Sequence, residues 1–391
     1  MQTFTTDVLI VGAGPVGLTA AIVLTQHGHD VVVVDRQAEG TNTSRAAVVH
    51  PHTLELLEPY DVVDDLVARG VHTPTFTIRD RDDLLIAVPF SELPTRYPYT
   101  LMISQADTEA FLLNRLEQLG GKVLRPADVT GIRQTVDHAI ATLADGQQIR
   151  ARYLVGADGM HSTVREQAGI AFTGGSSGWI APHVRDGKSF ALADVRLSGG
   201  VPADEVILYF SPAGLVVVAP LPDGMYRIVA TVDEAPQHPD IAFVQSLLDE
   251  RGPVATPAVV DEVVWGSRFR VHHRIADAFR DNRILLAGDA AHVHSPAGGQ
   301  GMNLGIEDAV IVGESLSQVL DAGADETLLD DYAAVRHHTA RGVVAMTSRL
   351  TELATASSRR RPIRNRVMRL AGKVPAVRRA LAWRLSGLDR R

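Results

Sequence analysis

The chain has 391 residues with 45% hydrophobic and 21% charged residues, so it is long enough for two or three structural units around a large core and too apolar to be disordered. It contains no cysteine, which excludes disulfides, thiolate metal sites and cysteine nucleophiles together and suits a reducing cytoplasm. The net charge of −8 conceals a basic tail: residues 358–391 carry twelve Arg and Lys against one Asp, a local +11 that leaves about −19 on the rest. A body of that sign argues against nucleic-acid binding.

The N-terminal apolar run Val8–Val11 is too short for a secretory signal and leads directly into glycines. No apolar segment approaches the ~20 residues a transmembrane helix needs, and the expectation is a soluble cytoplasmic protein. Asp7–Val11 is a buried strand, Gly12 to Gly17 a turn, Leu18–His27 a helix that Gly28 terminates, and Asp30–Val34 a second strand ending at Asp35. This is a βαβ unit for a parallel sheet.

Gly12-x-Gly14-x-x-Gly17 is a weak signal alone. Here a strand precedes it, a helix follows the turn that holds Pro15 and Val16, and Asp35 lies 23 residues after Gly12. Gly12 permits the tight turn, Gly14 lets a pyrophosphate approach the backbone, and Gly17 permits close packing of helix on strand. The helix N-terminus offers free N–H groups to phosphates, and Asp35 can accept from an adenosine ribose. Arg36 is either an adenine contact or a solvated charge. The fingerprint does not separate FAD from NAD.

Further on, short strand candidates occur at 122–124, 139–143 and 153–158. Five more, at 190–195, 206–210, 215–219, 226–232 and 259–265, are divided by Pro, Gly and Asp turns and suggest an inserted antiparallel sheet. Residues 284–289 return to the first sheet, and from Asn303 the composition is mostly helical.

Two stretches carry a specific resemblance. Tyr153-Leu-Val-Gly-Ala-Asp158-Gly159-Met-His-Ser162-Thr-Val-Arg165 is similar to the DG motif of class A FAD-dependent aromatic monooxygenases, the para-hydroxybenzoate hydroxylase type. Arg283-Ile-Leu-Leu-Ala-Gly288-Asp289 and the loop through Pro296, Gly299, Gly301, Met302 and Asn303 resemble the GD motif of the same family. Ser44-Arg45-Ala46, Gln105 and Ala193-Asp194-Val195 fit as well. The nearest branch is that of the aromatic-polyketide and rifamycin hydroxylases.

The resemblance implies an α/β fold: a Rossmann-like FAD-binding sheet, an inserted antiparallel substrate sheet and a helical C-terminus. The expected division is 1–171 and 276–355 for the FAD-binding domain, 172–275 for the substrate sheet and 356–391 for a basic helical tail. Strands near 72–103 are candidates to join the substrate sheet. It further implies that Asp289 accepts from the ribityl hydroxyls and that Gly288 leaves the cofactor room. The segment 296–303 opens a helix whose N-terminus stabilises the reduced flavin. Gln105 is expected on the ribityl-pyrophosphate region, Arg45 near pyrophosphate and isoalloxazine, Val129 at adenine, and Asp158 near both FAD and the nicotinamide cofactor. Arg165 is expected to pair with Asp158 or a neighbouring acid.

The implied reaction is hydroxylation of a phenolic, quinone or polyketide-derived aromatic substrate by NADPH or NADH and O2, with a flavin C4a-hydroperoxide as oxygen donor. With one dinucleotide fingerprint, the nicotinamide cofactor visits only transiently. Pro296 is expected near the reacting carbon; His50, His52 and Tyr209 are weak candidates for a base. Phe190, Tyr209, Phe210, Leu215 and Val217 are candidates for the pocket wall. The alternatives are an FAD reductase or dehydrogenase that inserts no oxygen, and a flavin-binding protein without turnover. His292-x-His294 and His272-His273 lack the spacing of a metal site.

In the longer relatives of that branch a Ser-Gly-Leu stretch like the one at 386–388 leads into a thioredoxin-like domain, which is expected to be absent here. The stripe Val367, Leu370, Val374, Val377 and Leu381 is expected to pack on the body with arginines outward; binding of an anionic membrane or acidic partner is the sharper alternative.

Overall fold

The computed structural model describes residues 3–40, 46–174, 189–270, 272–322, 324–354 and 359–391. The strand Thr3–Val11 is central, and Val8, Leu9 and Ile10 are fully buried. Its second half, Val8–Val11, is aliphatic without alternation because both faces of the sheet are covered there. It pairs in parallel with Val31–Val34 on one side and Gln148–Gly156 on the other. Val123–Leu124 extends the sheet beyond the first neighbour and Ile284–Leu286 beyond the second.

The register brings Val11, Val34 and Gly156 level, with Leu286 opposite Gly156. These carboxyl ends form one edge, and the chain reverses its order across the sheet at Thr3–Val11. Ligands of open α/β sheets bind in the crevice at such a point. The helices Pro15–Gln26 and Gln300–Ala322 lie together over the sheet, and a Cβ on Gly313 would stand 2.6 Å from a Val23 methyl carbon.

The second sheet has seven strands, in the order Ala258–Arg270, Ser189–Gly199, Met225–Val232, Gly214–Leu221, Glu205–Ser211, Thr75–Asp80, Asp83–Pro89. All neighbours are antiparallel except Glu205–Ser211 with Thr75–Asp80. Side chains alternate between its faces. Val206, Leu208 and Phe210 join one core with Phe76 and Met102, while Ile207 and Tyr209 face a second core that includes Leu247 and Leu248 of the helix Ile241–Arg251. Tyr209 thus points away from the pocket side, against its expected place in the wall.

The chain ends in the helices Thr327–Ala354, Arg361–Gly372 and Pro375–Leu385. The tail does not dock as the stripe suggested. Val367, Leu370 and Val374 are 58%, 57% and 45% exposed, whereas Arg364, Asn365 and Met368 are buried. Buried Asp80 decides this orientation: it accepts from Arg361 and from Asn365, both bonds short, while Arg364 donates to the carbonyls of Leu353, Ala354 and Phe210. Satisfying a buried carboxylate outweighs covering a few aliphatic side chains. Only the later part of the stripe follows expectation, with Val377 partly buried and Leu381 packed beside Trp383 and Leu385.

Candidate active site

At the fingerprint, Gly12 has φ +105° and donates to the Val34 carbonyl at 2.8 Å. A Cβ on Gly17 would sit 1.8 Å from the Gly12 carbonyl oxygen, so glycine is required for the turn itself to close. Gly14, by contrast, faces open space and precedes Pro15 at the start of the helix. Asp35 accepts from Ala13 N at 2.7 Å and from Gln37 N at 2.8 Å, holding the turn against the second strand.

This turn borders a cavity of about 200 Å³ that also takes in Asp35, Glu109, Arg125 and Val129. A larger cavity of about 490 Å³ opens beside it. Gly14, Arg36, Gln105, Asp158, Gly159 and His161 line both, so the two form one cleft running from the sheet edge to the second sheet. Gln105 starts the helix Gln105–Gln118, accepts from Ala46 N at 3.3 Å and donates to Glu109 at 2.8 Å. Burial pushes the Glu109 carboxyl up, against the lowering effects of Gln105 and Arg125.

The far end is built by the segment after Ile284–Leu286. From 284 to 293 every residue is buried except Asp289, which is exposed and lines the larger cavity. Pro296, Gly299, Gly301 and Met302 line it too, where the helix Gln300–Ala322 begins. Gly301 faces open space, as Gly14 does at the opposite end. Gly288 (φ +61°) serves a different purpose from the one expected: a Cβ there would meet a Val16 methyl carbon at 2.7 Å. The room it leaves is for the first helix.

Gly17, Gly288 and Asn303 do not line either cavity. Asn303 is fully buried; it accepts from His50 N at 2.7 Å and donates to the carbonyls of Val48 and Gly299 at 2.9 and 2.8 Å. It clamps the loop to the strand Val48–Val49. Arg45 lies outside the described residues.

Asp158 accepts from Ser162 Oγ at 2.5 Å and Val164 N at 3.1 Å at the start of the short helix Thr163–Gln167. Burial raises its pKa. Arg165 departs from the expected ion pair. It donates to the carbonyls of Ala290 and Met160, with its guanidinium 3.8 Å from the Phe172 ring centre. That arrangement ties the Asp158 loop to the Asp289 turn without a carboxylate.

The second sheet supplies the apolar wall through Phe190, Val206, Leu208, Leu215, Val217 and Phe269. Phe190 stacks on Phe269 at 5.2 Å. Phe210 lies on the same side but not in the wall, and Tyr209 lies opposite. One charged pair enters this face. Arg227, 2% exposed, donates two 2.7 Å bonds to Asp194 and a third, also 2.7 Å, to the Ala46 carbonyl. The two residues are direct cross-strand partners. Arg227, Glu109 and Arg125 escaped the sequence reading, because an arginine opposite an aspartate shows only once the strand register is known.

The two candidate bases among the histidines, His50 and His52, are core groups. His50 is fully buried, bonded to the Gly298 carbonyl and Gln300, and does not line the cleft; His52 is 7% exposed and close to Glu55. Burial pushes the His50 imidazole down to about 4. His294 has a partly exposed side chain on the cavity wall, yet both ring nitrogens are closed to solvent with no partner among the described residues. Burial, then neighbouring His292 and His273, push its pKa down to about 3. Both rings are therefore neutral in the fold. In the unfolded chain they take protons below about pH 6.5, so stability should fall as pH drops from there towards 4. Denaturant unfolding across that range checks this, and His50→Gln should flatten the slope; an equal slope would show that His50 is not held neutral.

The chain matches the FAD binding domain family over residues 5–347. It belongs to that family. This flavoprotein is 40% identical over 339 residues to the 6-methylpretetramide 4-monooxygenase of Streptomyces rimosus, covering 84% of this chain and 59% of that protein. It is 35% identical over 391 residues to an aromatic compound monooxygenase of Bacillus subtilis, covering 98% and 75%. The crystal structure of p-nitrophenol 4-monooxygenase from Pseudomonas putida DLL-E4 matches all of both chains with a TM-score of 0.84 at 27% identity. Among the described residues no helix is long and apolar enough to cross a membrane.

Proposed function

We propose that this flavoprotein is a monooxygenase that hydroxylates a bulky phenolic, quinone or polyketide-derived aromatic compound, with NADPH or NADH as reductant and O2 as co-substrate. The observation that carries the reading is the continuous cleft. Its narrow end is a dinucleotide turn, its middle holds Asp289 and a helix N-terminus, and its wide end is a wall of aliphatic and aromatic side chains. The expected supply of NAD(P)H places the enzyme in the cytoplasm.

The residues present fit FAD, since Gly14 at the dinucleotide turn and Gly301 at the helix N-terminus both leave open space. In this reading Gly12, Gly14, Pro15, Val16 and Gly17 form the pyrophosphate turn, and Gln105 lies beside it. Asp35 keeps lone pairs for a ribose hydroxyl beyond the two N–H groups it already accepts from. Arg36 and Val129 border the adenine, and Asp289 takes the ribityl chain. Gly299, Gly301 and Met302 face the ring, with Pro296 towards the substrate. Bound there, FAD supplies electron transfer from NAD(P)H and activation of O2.

The protein orients the substrate and keeps water out. Phe190, Leu215, Val217 and Phe269 exclude solvent from one side of the aromatic substrate. Arg227, clamped by Asp194, ties the sheet to Ala46 and so holds the substrate wall against the cofactor loop. The division into parts 1–171, 172–275, 276–355 and 356–391 belongs to the same proposal.

The test is NAD(P)H oxidation and O2 uptake by the FAD-loaded protein with a panel of polycyclic phenols and quinones, read with product mass. Ligand-stimulated oxidation, matched by O2 uptake and a product heavier by one oxygen atom, is expected. Reduction without O2 uptake would make the protein a reductase; a flavin that NAD(P)H never reduces would make it a binding protein. Val217→Trp should lower kcat/KM for a bulky substrate about tenfold or more, with FAD content unchanged. Unaltered kinetics would remove Val217 from the substrate wall.

A further inference from the structure

The helix Arg361–Gly372 is turned inside out relative to an ordinary surface helix. Its inward face is polar: Arg361, Arg364 and Asn365 gather on buried Asp80, and of the apolar side chains only Met368 is buried there. Its outward face is aliphatic. Ile363, Val367 and Leu370, with Val374 just beyond the helix end, are 69%, 58%, 57% and 45% exposed. Their spacing of four, three and four residues forms one stripe. The Asp80 network fixes this orientation, so the stripe cannot roll inward without breaking it.

Cations border the stripe. Arg359, Arg360, Arg366 and Lys373 are exposed and have no ion-pair partner among the described residues. Other basic residues of the tail are already neutralised: Arg361 by Asp80, Arg369 by Asp83 and Arg379 by Glu92. The helix itself contains no acidic residue.

We propose that this stripe is a membrane-contact surface that lays the helix Arg361–Gly372 on an anionic lipid bilayer. The side chains suit a bilayer interface, where aliphatic groups enter the boundary between headgroups and acyl chains and flanking cations meet anionic headgroups. A second copy of the chain fits less well. A two-fold contact through this stripe would place these four exposed cations of one copy against the same four of the other. A protein partner would more typically be met by aromatic anchors, which the stripe lacks. The contact is peripheral and goes beyond the oxygenation reading.

The FAD-loaded full chain should co-sediment with vesicles of phosphatidylcholine mixed with phosphatidylglycerol, and not with phosphatidylcholine alone. Added salt should weaken the binding. Ile363→Ser combined with Leu370→Ser should lower vesicle affinity about tenfold or more, and Arg366→Gln combined with Lys373→Gln about tenfold. Both variants should keep the FAD absorbance and melting temperature of the parent, because none of these side chains touches the cleft or the Asp80 network. Absence of binding to the anionic vesicles, equal binding to both lipids, or unchanged binding by the variants would overturn the proposal. So would loss, in the serine variant, of a self-association seen in the parent by ultracentrifugation, which would make the stripe an interface between copies.

Discussion

Gly17→Val is expected to yield a protein that no longer retains FAD through purification. Even a single Cβ at this position would stand 1.8 Å from the Gly12 carbonyl oxygen and 3.3 Å from an Ile10 methyl carbon. The obstructing atom is backbone, so no side-chain rotation relieves the clash. Gly12 cannot withdraw, because its N–H bonds the Val34 carbonyl and a Cβ of its own would lie 2.3 Å from the Ala157 carbonyl. The helix Pro15–Gln26 must then lift away from the strand Thr3–Val11 and move Gly14 and Pro15 with it.

Overpacking of this kind costs about 1–3 kcal/mol, and against rigid backbone the upper end applies. Spent on the cofactor turn, that strain lowers FAD affinity about tenfold to a hundredfold. Flavin absorbance of the purified protein, followed by titration with added FAD, reads the effect. Gly14→Ala is the internal control: its Cβ meets nothing within 4 Å, so it should fold normally and lose affinity only through crowding of the ligand. Parent-like FAD binding by Gly17→Val would show that the turn opens elsewhere at little cost.

The second large effect is expected from Arg336→Met. Arg336 is 3% exposed and lies among carboxylates that are fully buried. Its Nε donates to Asp308 at 2.5 Å, and one Nη donates to Glu307 and to the Leu304 carbonyl, both at 3.3 Å. Glu307 has a second cation in Arg390, at 2.6 Å. Asp308 has His292 at 2.6 Å and accepts from Gly288 N at 3.0 Å. Removing Arg336 leaves Asp308 buried with a histidine and one amide, a change that costs about 3–5 kcal/mol.

Asp308 grips the amide directly before Asp289, so the loss should also loosen the exposed carboxylate of the cleft and weaken FAD binding. The pH dependence follows from the sign of the Asp308 shift. Burial pushes its pKa up, but Arg336 and then His292 outweigh burial and hold it below the usual value. A lowered carboxylate stabilises the fold above its unfolded pKa and loses that contribution only as pH falls through the lowered value. The Asp308 contribution in the parent should therefore stay level between about pH 5 and 8. In the variant, without Arg336, burial raises the carboxyl, and the gap should narrow towards about pH 5. Urea unfolding across that range measures the gap. Less than about 1 kcal/mol at pH 7 would mean that the site behaves like a surface pair; Arg336→Lys should recover part of the loss.

The legibility of this site follows the range of the interactions behind it. The turn at Gly12, Gly14 and Gly17, the strands around it and Asp35 depend on contacts within one βαβ unit, so spacing was enough to find them. Asp289 and the glycine loop were found through their resemblance to family motifs, and their placement on the same cleft agrees with it. Asn303 stands in the same motif but turns out to clamp the loop from inside, because its amide reaches Val48, far away in the chain. Tyr209 and Phe210 are neighbours in one strand, and only the pairing of that strand decides which face each takes.

Taken alone, the sequence determined the parallel sheet and the antiparallel sheet beside it, because local periodicity and turn residues encode them, and the resemblance of its motifs pointed to the family. Tertiary structure alone decided the Arg227–Asp194 clamp, the burial of Asp308 under Arg336, and the direction in which the basic tail faces. The physical reason is the same in each case. A buried charge takes its orientation from a partner distant in sequence, and satisfying it overrides the local pattern. Asp80, at the end of a strand near the start of the chain, turns the stripe from Ile363 to Val374 towards the outside.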